Sequence, residues 1–123
     1  MILAVDIGNT NICIGGLDGR ELRFMFRMVT RPRCTPDEYT AELRFLLRRV
    51  NFDSKDCTGT ILCSVVPGLS NALAEAVRRL TGHDPLRVRY TLDTGLTFDV
   101  ESPERVGQDR IADAAAAAAL YPL

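Results

Sequence analysis

Two short runs in this chain set carboxylates beside turn-forming residues, and both suit the handling of phosphate. In Asp6-Ile7-Gly8-Asn9-Thr10-Asn11 a carboxylate ends an apolar run and a glycine turn follows at once. Such a turn can direct backbone N–H groups and the Thr10 hydroxyl at phosphate oxygens. Asp6 would then hold Mg²⁺, directly or through water, since hard cations prefer oxygen ligands. The run is not a P-loop, which needs a lysine and a following helix. The same residues also make a plain hairpin turn.

The second run is Gly107-Gln108-Asp109-Arg110, where an irregular segment enters a helix. A helix dipole keeps a carboxylate near its N-terminus ionised. Asp109 could therefore take the proton of an alcohol that attacks a phosphoryl group. Arg110 offers a planar fork to an anionic substrate. Without further context, this is equally a helix start with a surface arginine. A third run, Asp93-Thr94-Gly95, matches the D-T-G of aspartic proteases, where two close carboxylates share a proton. That motif should follow an early β-meander, whereas this one follows two helices.

The elements that must position these groups can be read from periodicity. Ile2–Val5 and Ile12–Leu17 are apolar runs joined by turn chemistry, a hairpin with a loop of several residues. Asp18-Gly19 is another hairpin signal. It leads into Leu22–Val29, where Leu22, Phe24, Phe26 and Met28 alternate with Arg23, Met25 and Arg27. Thr35, Pro36 and Glu38 form a capping box with proline at the first helical position. Tyr39, Leu43, Leu46, Leu47 and Val50 then make one apolar stripe. Thr60–Val66 is a continuous apolar run, the pattern of a buried strand, which Pro67-Gly68 should end. Leu69, Leu73, Ala76, Val77 and Leu80 mark a second helix, stopped by Gly82. Leu86–Tyr90 reads as a strand, residues 93–103 as irregular with an extended piece near Leu96–Val100, and Gln108–Leu120 as a helix with an alanine run. The order β-β-β-α-β-α-β-α predicts an α/β fold with a mixed sheet and helices packed on it.

Composition narrows the function classes. The 123 residues fit one domain, with 46% hydrophobic and 25% charged residues, ordinary for a globular protein. A net charge of −1 gives no electrostatic reason to expect nucleic acid or an anionic membrane as partner. No apolar run approaches the roughly 20 residues that span a bilayer. Met1–Asp6 lacks the basic start of a signal peptide, so a cytoplasmic location is expected. Cys13, Cys34, Cys57 and Cys63 have no C-x-x-C spacing, and His83 is the sole histidine. Four reduced thiols are expected rather than a zinc site.

The run D-x-G-N-T-N resembles the first phosphate-binding turn of type III pantothenate kinases, members of the actin/hexokinase ATPase superfamily. The predicted element order is also that of the superfamily's ribonuclease-H-like lobe. G-Q-D-R resembles the family's G-x-D-R element, and Ser64-Val65-Val66-Pro67, Thr94-Gly95-Leu96 and Pro103 match further pieces in order. The resemblance covers essentially the whole chain. It implies that Asp6, Ile7, Gly8, Asn9, Thr10, Asn11, Ile12 and Cys13 contact ATP. It also implies that Asp109 is the base on the pantothenate hydroxyl, and that Gly107, Gln108, Asp109 and Arg110 line the pantothenate pocket.

The implied reaction moves the ATP γ-phosphate to pantothenate, giving 4′-phosphopantothenate, the entry step to coenzyme A. The implied cofactors are Mg²⁺ and a monovalent cation, K⁺ or NH₄⁺, and the implied assembly is a homodimer. One departure is Val100, where many members carry an aromatic residue. Members also continue into a second lobe with another D-x-G-T turn and the monovalent-cation ligand. Residues 1–123 therefore read as a single amino-terminal lobe, inactive alone. A non-catalytic nucleotide-binding or regulatory protein on the same lobe is the alternative.

Overall fold

The computed structural model describes residues 1–19 and 21–88. Three strands open the chain: β1 (Ile2–Ile7), β2 (Asn11–Asp18) and β3 (Glu21–Val29). Helix α1 (Pro36–Arg49), a 3₁₀ turn at Ser54–Asp56, strand β4 (Gly59–Ser64), helix α2 (Pro67–Thr81) and strand β5 (Leu86–Val88) follow. The sheet order is β3-β2-β1-β4-β5. β1, β2 and β3 pair antiparallel, while β1–β4 and β4–β5 pair parallel. This is the mixed α/β sheet that the element order predicts. The expected helix over Gln108–Leu120 and the extended piece at Leu96–Val100 lie outside the described residues.

Local chemistry explains each boundary. Thr35 is extended, with φ −80° and ψ 163°, and its hydroxyl accepts the Glu38 N–H at 3.2 Å. The Glu38 carboxylate accepts the Thr35 N–H in return, at 3.0 Å. Two otherwise orphaned donors of the first turn are satisfied this way. Tyr39, Leu43 and Leu47 are the buried apolar residues of α1; Val50 caps the helix instead of extending the stripe.

Pro67-Gly68 was expected to end the strand before it. Instead, β4 stops at Ser64 and Pro67 opens α2. The ring holds φ at a helical value, and a first-turn position needs no N–H donor, so proline suits a helix start as well as a strand end. The far end is as expected: Gly82 adopts φ 78°, and its N–H reaches the Arg78 carbonyl at 2.8 Å.

The two faces of the sheet differ in content. Leu3, Val5 and Ile7 of β1, Ile12 and Ile14 of β2, Met28 of β3 and Leu62 of β4 pack against Tyr39, Leu43 and Leu47 of α1 and Leu69, Leu73 and Val77 of α2. Each fully buried aliphatic side chain here stabilises the fold by about 1.5–3 kcal/mol. Ala4, Cys13, Leu17, Ile61 and Cys63 form the second cluster, on the opposite face. β2 shifts register between Gly16 and Leu17, and a Cβ on Gly16 would fall on the Phe24 ring, which packs against the helix-side cluster. Any larger residue at this position would force the Phe24 ring to move. All four cysteines are buried thiols.

Candidate active site

β1 is the central strand, so both of its neighbours set what surrounds Asp6. Asp6 aligns with Cys13 of β2 and with Cys63 of β4. Alternation along the strand puts it on the Ala4 face, away from α1 and α2. It is 2% exposed. A carboxylate this buried is unusual unless its charge is met by partners or by function.

Two residues on, the chain leaves the sheet and becomes exposed at Asn9, Thr10 and Asn11. Pairing between β1 and β2 closes at Ile7 and Ile12, so the bend spans residues 8–11, a loop of several residues as expected. The Gly8 N–H donates to the Asn11 carbonyl at 2.9 Å. None of Gly8, Asn9, Thr10 and Asn11 has a positive φ. Glycine is favoured at position 8 by close approach instead, because a Cβ there would lie 3.0 Å from the Asn11 carbonyl oxygen. The Asn11 side-chain amide donates to the hydroxyl of the exposed Thr10 at 3.4 Å.

The end of β3 holds this bend from the side. The Thr30 hydroxyl donates to the Gly8 carbonyl at 2.8 Å, and the Thr30 N–H donates to the Thr10 carbonyl at 3.0 Å. Behind Thr30, the buried Tyr39 hydroxyl accepts the Arg31 N–H at 3.1 Å and donates to the Arg31 carbonyl at 2.9 Å. Burial, outweighing those bonds, pushes the Tyr39 phenol above its ordinary value. Burial likewise raises the nearby Cys34 thiol. Both groups stay neutral at the site's margin. Arg31 is turned outward to Glu42, 2.9 Å away.

The third side of the site comes from β4. Ile7 pairs with Ser64, and the Val65 N–H continues the ladder to the Ile7 carbonyl at 3.0 Å. The Ser64 hydroxyl accepts the Val66 N–H at 3.0 Å and lies 3.1 Å from the Val66 carbonyl. α2 then begins with no side-chain cap, and the space around Gly68 is open. The carboxyl edge of β1 and β4 thus gathers a buried acid, a polar exposed bend and the positive end of a helix dipole. In open α/β sheets, ligands bind at the carboxyl ends of strands.

Among the described residues no group of three or more His, Cys, Asp or Glu could cage a metal ion. Mg²⁺ is often held by one or two carboxylates completed by substrate phosphates and water. A single buried Asp6 next to an exposed polar bend is compatible with an ion that brings its other oxygen ligands with it.

Of the residues expected to contact ATP, the structure brings Asp6 to Cys13 to one edge, although in different roles. Ile7 and Ile12 are core residues on the helix side, and Cys13 is buried beside Asp6. Gly107, Gln108, Asp109, Arg110 and Val100 lie outside the described residues. Thr30 escaped the sequence reading because its bonds reach a bend far away in the chain, and no local spacing signals them.

A family model described as type III pantothenate kinase matches residues 2–123. A protein named type III pantothenate kinase from Moorella thermoacetica is 40% identical over 121 residues, which are 98% of this chain and 48% of that protein. Proteins of the same name from Agathobacter rectalis and Thermomicrobium roseum are 39% and 38% identical, each over 98% of this chain and 46% and 47% of their own lengths. The chain spans about half the length of the curated relatives it matches. Among solved structures, a putative N-acetylmannosamine kinase from Listeria monocytogenes aligns with 72% of this chain and 35% of its own, at 19% identity and a TM-score of 0.48. With the family model matching from residue 2 to residue 123, this chain belongs to the type III pantothenate kinase family.

Proposed function

We propose that this chain is the amino-terminal, nucleotide-binding half of an ATP-dependent kinase that converts pantothenate to 4′-phosphopantothenate. The observation that carries the reading is the placement of Asp6, buried at the end of the central strand and followed directly by the exposed bend at Asn9–Asn11. In this reading the amides of the bend and the Thr10 hydroxyl receive the ATP phosphates. Gly8 lets the bend close, since its own N–H is spent on Asn11. Asp6 would hold the Mg²⁺ that accompanies the nucleotide, directly or through water, and that ion would offset the phosphate charge.

Asp109 takes the proton of the pantothenate hydroxyl as its oxygen bonds to the γ-phosphorus. The bond from that phosphorus to the bridging oxygen breaks, and ADP leaves with the electron pair. Gly107, Gln108 and Arg110 hold the acceptor. Catalysis of this kind is mostly positioning and charge stabilisation. The monovalent cation, K⁺ or NH₄⁺, finds its ligand outside residues 1–123, and the working enzyme is a cytoplasmic homodimer.

The test is ADP release by a protein that joins this chain to the second half its relatives possess. Release should depend on pantothenate, and Asp109→Asn should lower kcat by about a hundredfold or more, as expected on losing a general base. The 123-residue chain alone should turn over far more slowly. Nucleotide binding with no pantothenate-dependent release in the joined protein would overturn the kinase reading and favour a non-catalytic nucleotide-binding role.

A further inference from the structure

We propose that Thr30 is a positioning residue for nucleotide binding, setting the direction in which the Gly8–Asn11 bend presents its amides. The inference rests on the reading of that bend as the ATP contact, and deepens it. Thr30 is the residue immediately after β3, which ends at Val29, and it lies on the neighbouring hairpin rather than in the bend. Two of its groups reach across: the hydroxyl to the Gly8 carbonyl at 2.8 Å and the N–H to the Thr10 carbonyl at 3.0 Å.

Peptide planarity turns these two bonds into a statement about donors. In a trans peptide the C=O and the following N–H point in opposite directions and rotate as one body. All peptide bonds of the described residues are trans. Fixing the Gly8 carbonyl toward Thr30 therefore fixes the Asn9 N–H away from it, and fixing the Thr10 carbonyl does the same for the Asn11 N–H. The preceding peptide is held too, its carbonyl at Ile7 by the Val65 N–H at 3.0 Å and its N–H at Gly8 by the Asn11 carbonyl at 2.9 Å. Three of the four peptide planes from Ile7 to Asn11 are thus set before an anion arrives, which lowers the ordering cost of binding.

Thr30 is itself braced. The Tyr39 hydroxyl makes two bonds to the backbone of Arg31, at 3.1 and 2.9 Å, from a side chain that is 0% exposed on α1. Position therefore passes from the helix layer through Arg31 and Thr30 to the bend. Threonine suits the task, because its β-branched side chain has few rotamers in which to lose the bond.

The experiment compares wild type, Thr30→Val, Thr30→Ser and Thr10→Val in the two-half protein. Thr30→Val keeps the shape and the N–H but removes the hydroxyl. It should raise KM for ATP by about tenfold, the factor expected from one or two weakened hydrogen bonds, and leave KM for pantothenate unchanged. Thr30→Ser should recover most of the loss. The rise in Tm caused by saturating ATP should shrink in the Val variant and return in the Ser variant. A purely structural role would lower the Tm of the free protein without separating the two KM values. Tyr39→Phe, which removes only the brace, should move KM for ATP in the same direction by a smaller factor, and it carries the test should Thr30→Val fail to fold.

An unchanged KM for ATP in the Val variant, or a parallel rise in both KM values, overturns the proposal while a raised KM for ATP in Thr10→Val keeps the bend as the ATP contact. If Thr10→Val and both Thr30 variants all leave ATP binding untouched, the bend is not the ATP contact and both readings fall.

Discussion

The two faces of the sheet obey different rules, although the same strands supply both. On the helix side, Leu3, Val5, Ile7, Ile12 and Ile14 are large aliphatic residues closed over by α1 and α2. On the other side, the residues around Asp6 are small, Ala4 and Cys13 with Cys63 adjoining from β4, while Leu17 and Ile61 complete the cluster. Large interlocking side chains favour stability by burying area, and small ones around one carboxylate favour close approach at the expense of buried area. The contrast teaches that room near Asp6 comes from a local run of small residues, while the helix side is large and aliphatic throughout.

Substitution on each side can break that comparison. The largest effect belongs to the helix side: Leu43→Ala should cost about 2–5 kcal/mol in chemical denaturation, because a fully buried Leu leaves a cavity. Cys63→Ala, on the other side, removes a single atom and should cost about 1 kcal/mol. Equal losses would contradict the division. Next comes Asp6→Asn, which keeps shape and removes charge. In the two-half protein, if the proposed reading holds, it should lower kcat by about a hundredfold, equivalent to about 2.7 kcal/mol of transition-state stabilisation, while denaturation midpoints move little. A large loss of stability with near-normal turnover would mean that Asp6 is structural.

The smallest effect sharpens the comparison at the edge of the helix layer. Thr35→Ala removes the cap of α1 and should cost about 1 kcal/mol. The Thr35 N–H bond holds the Glu38 carboxyl below its ordinary value. A depressed folded-state value means that the carboxylate stabilises the fold above the unfolded value and loses that contribution as pH falls through the folded one. Glu38→Gln should therefore flatten the acid side of the stability profile below the usual carboxylate range and leave ATP affinity unchanged. An acid limb identical to that of wild type would show that the cap is not titrating with the fold.

Most of the layer structure was legible because it is written in local patterns. The alternation of Phe24, Phe26 and Met28 with Met25 and Arg27 gave β3, and the capping box gave the start of α1 to the residue. The continuous apolar run of β4 gave a buried strand. Boundaries failed where pairing overrides composition. β1 runs through Asp6 to Ile7 because β2 and β4 hold it on both sides, although an acid reads as a strand end. Pro67 reads as a stop and serves as a start.

The site was legible only in part. The Asp6–Asn11 run announces itself by type and spacing, but the burial of Asp6 depends on two neighbouring strands, and the bonds of Thr30 cross between hairpins. The left-handed conformation of Asn51, with φ 57°, has no signal in the residues around it. Asn tolerates that conformation better than most residues, so no glycine was needed to signal it.

The parallel pairing of β1 with β4 also carries a consequence for the order of events during synthesis. The first hairpin can zip as soon as its residues leave the ribosome, but the Ile7 carbonyl must wait for Val65, which is made much later and lies across a long loop closure. A nascent chain that has reached only α1 would own the bend and its Thr30 tether, yet lack the strand that completes the floor beside Asp6. The edge on which Asp6 and the bend sit is therefore finished only when this late-arriving strand docks beside β1.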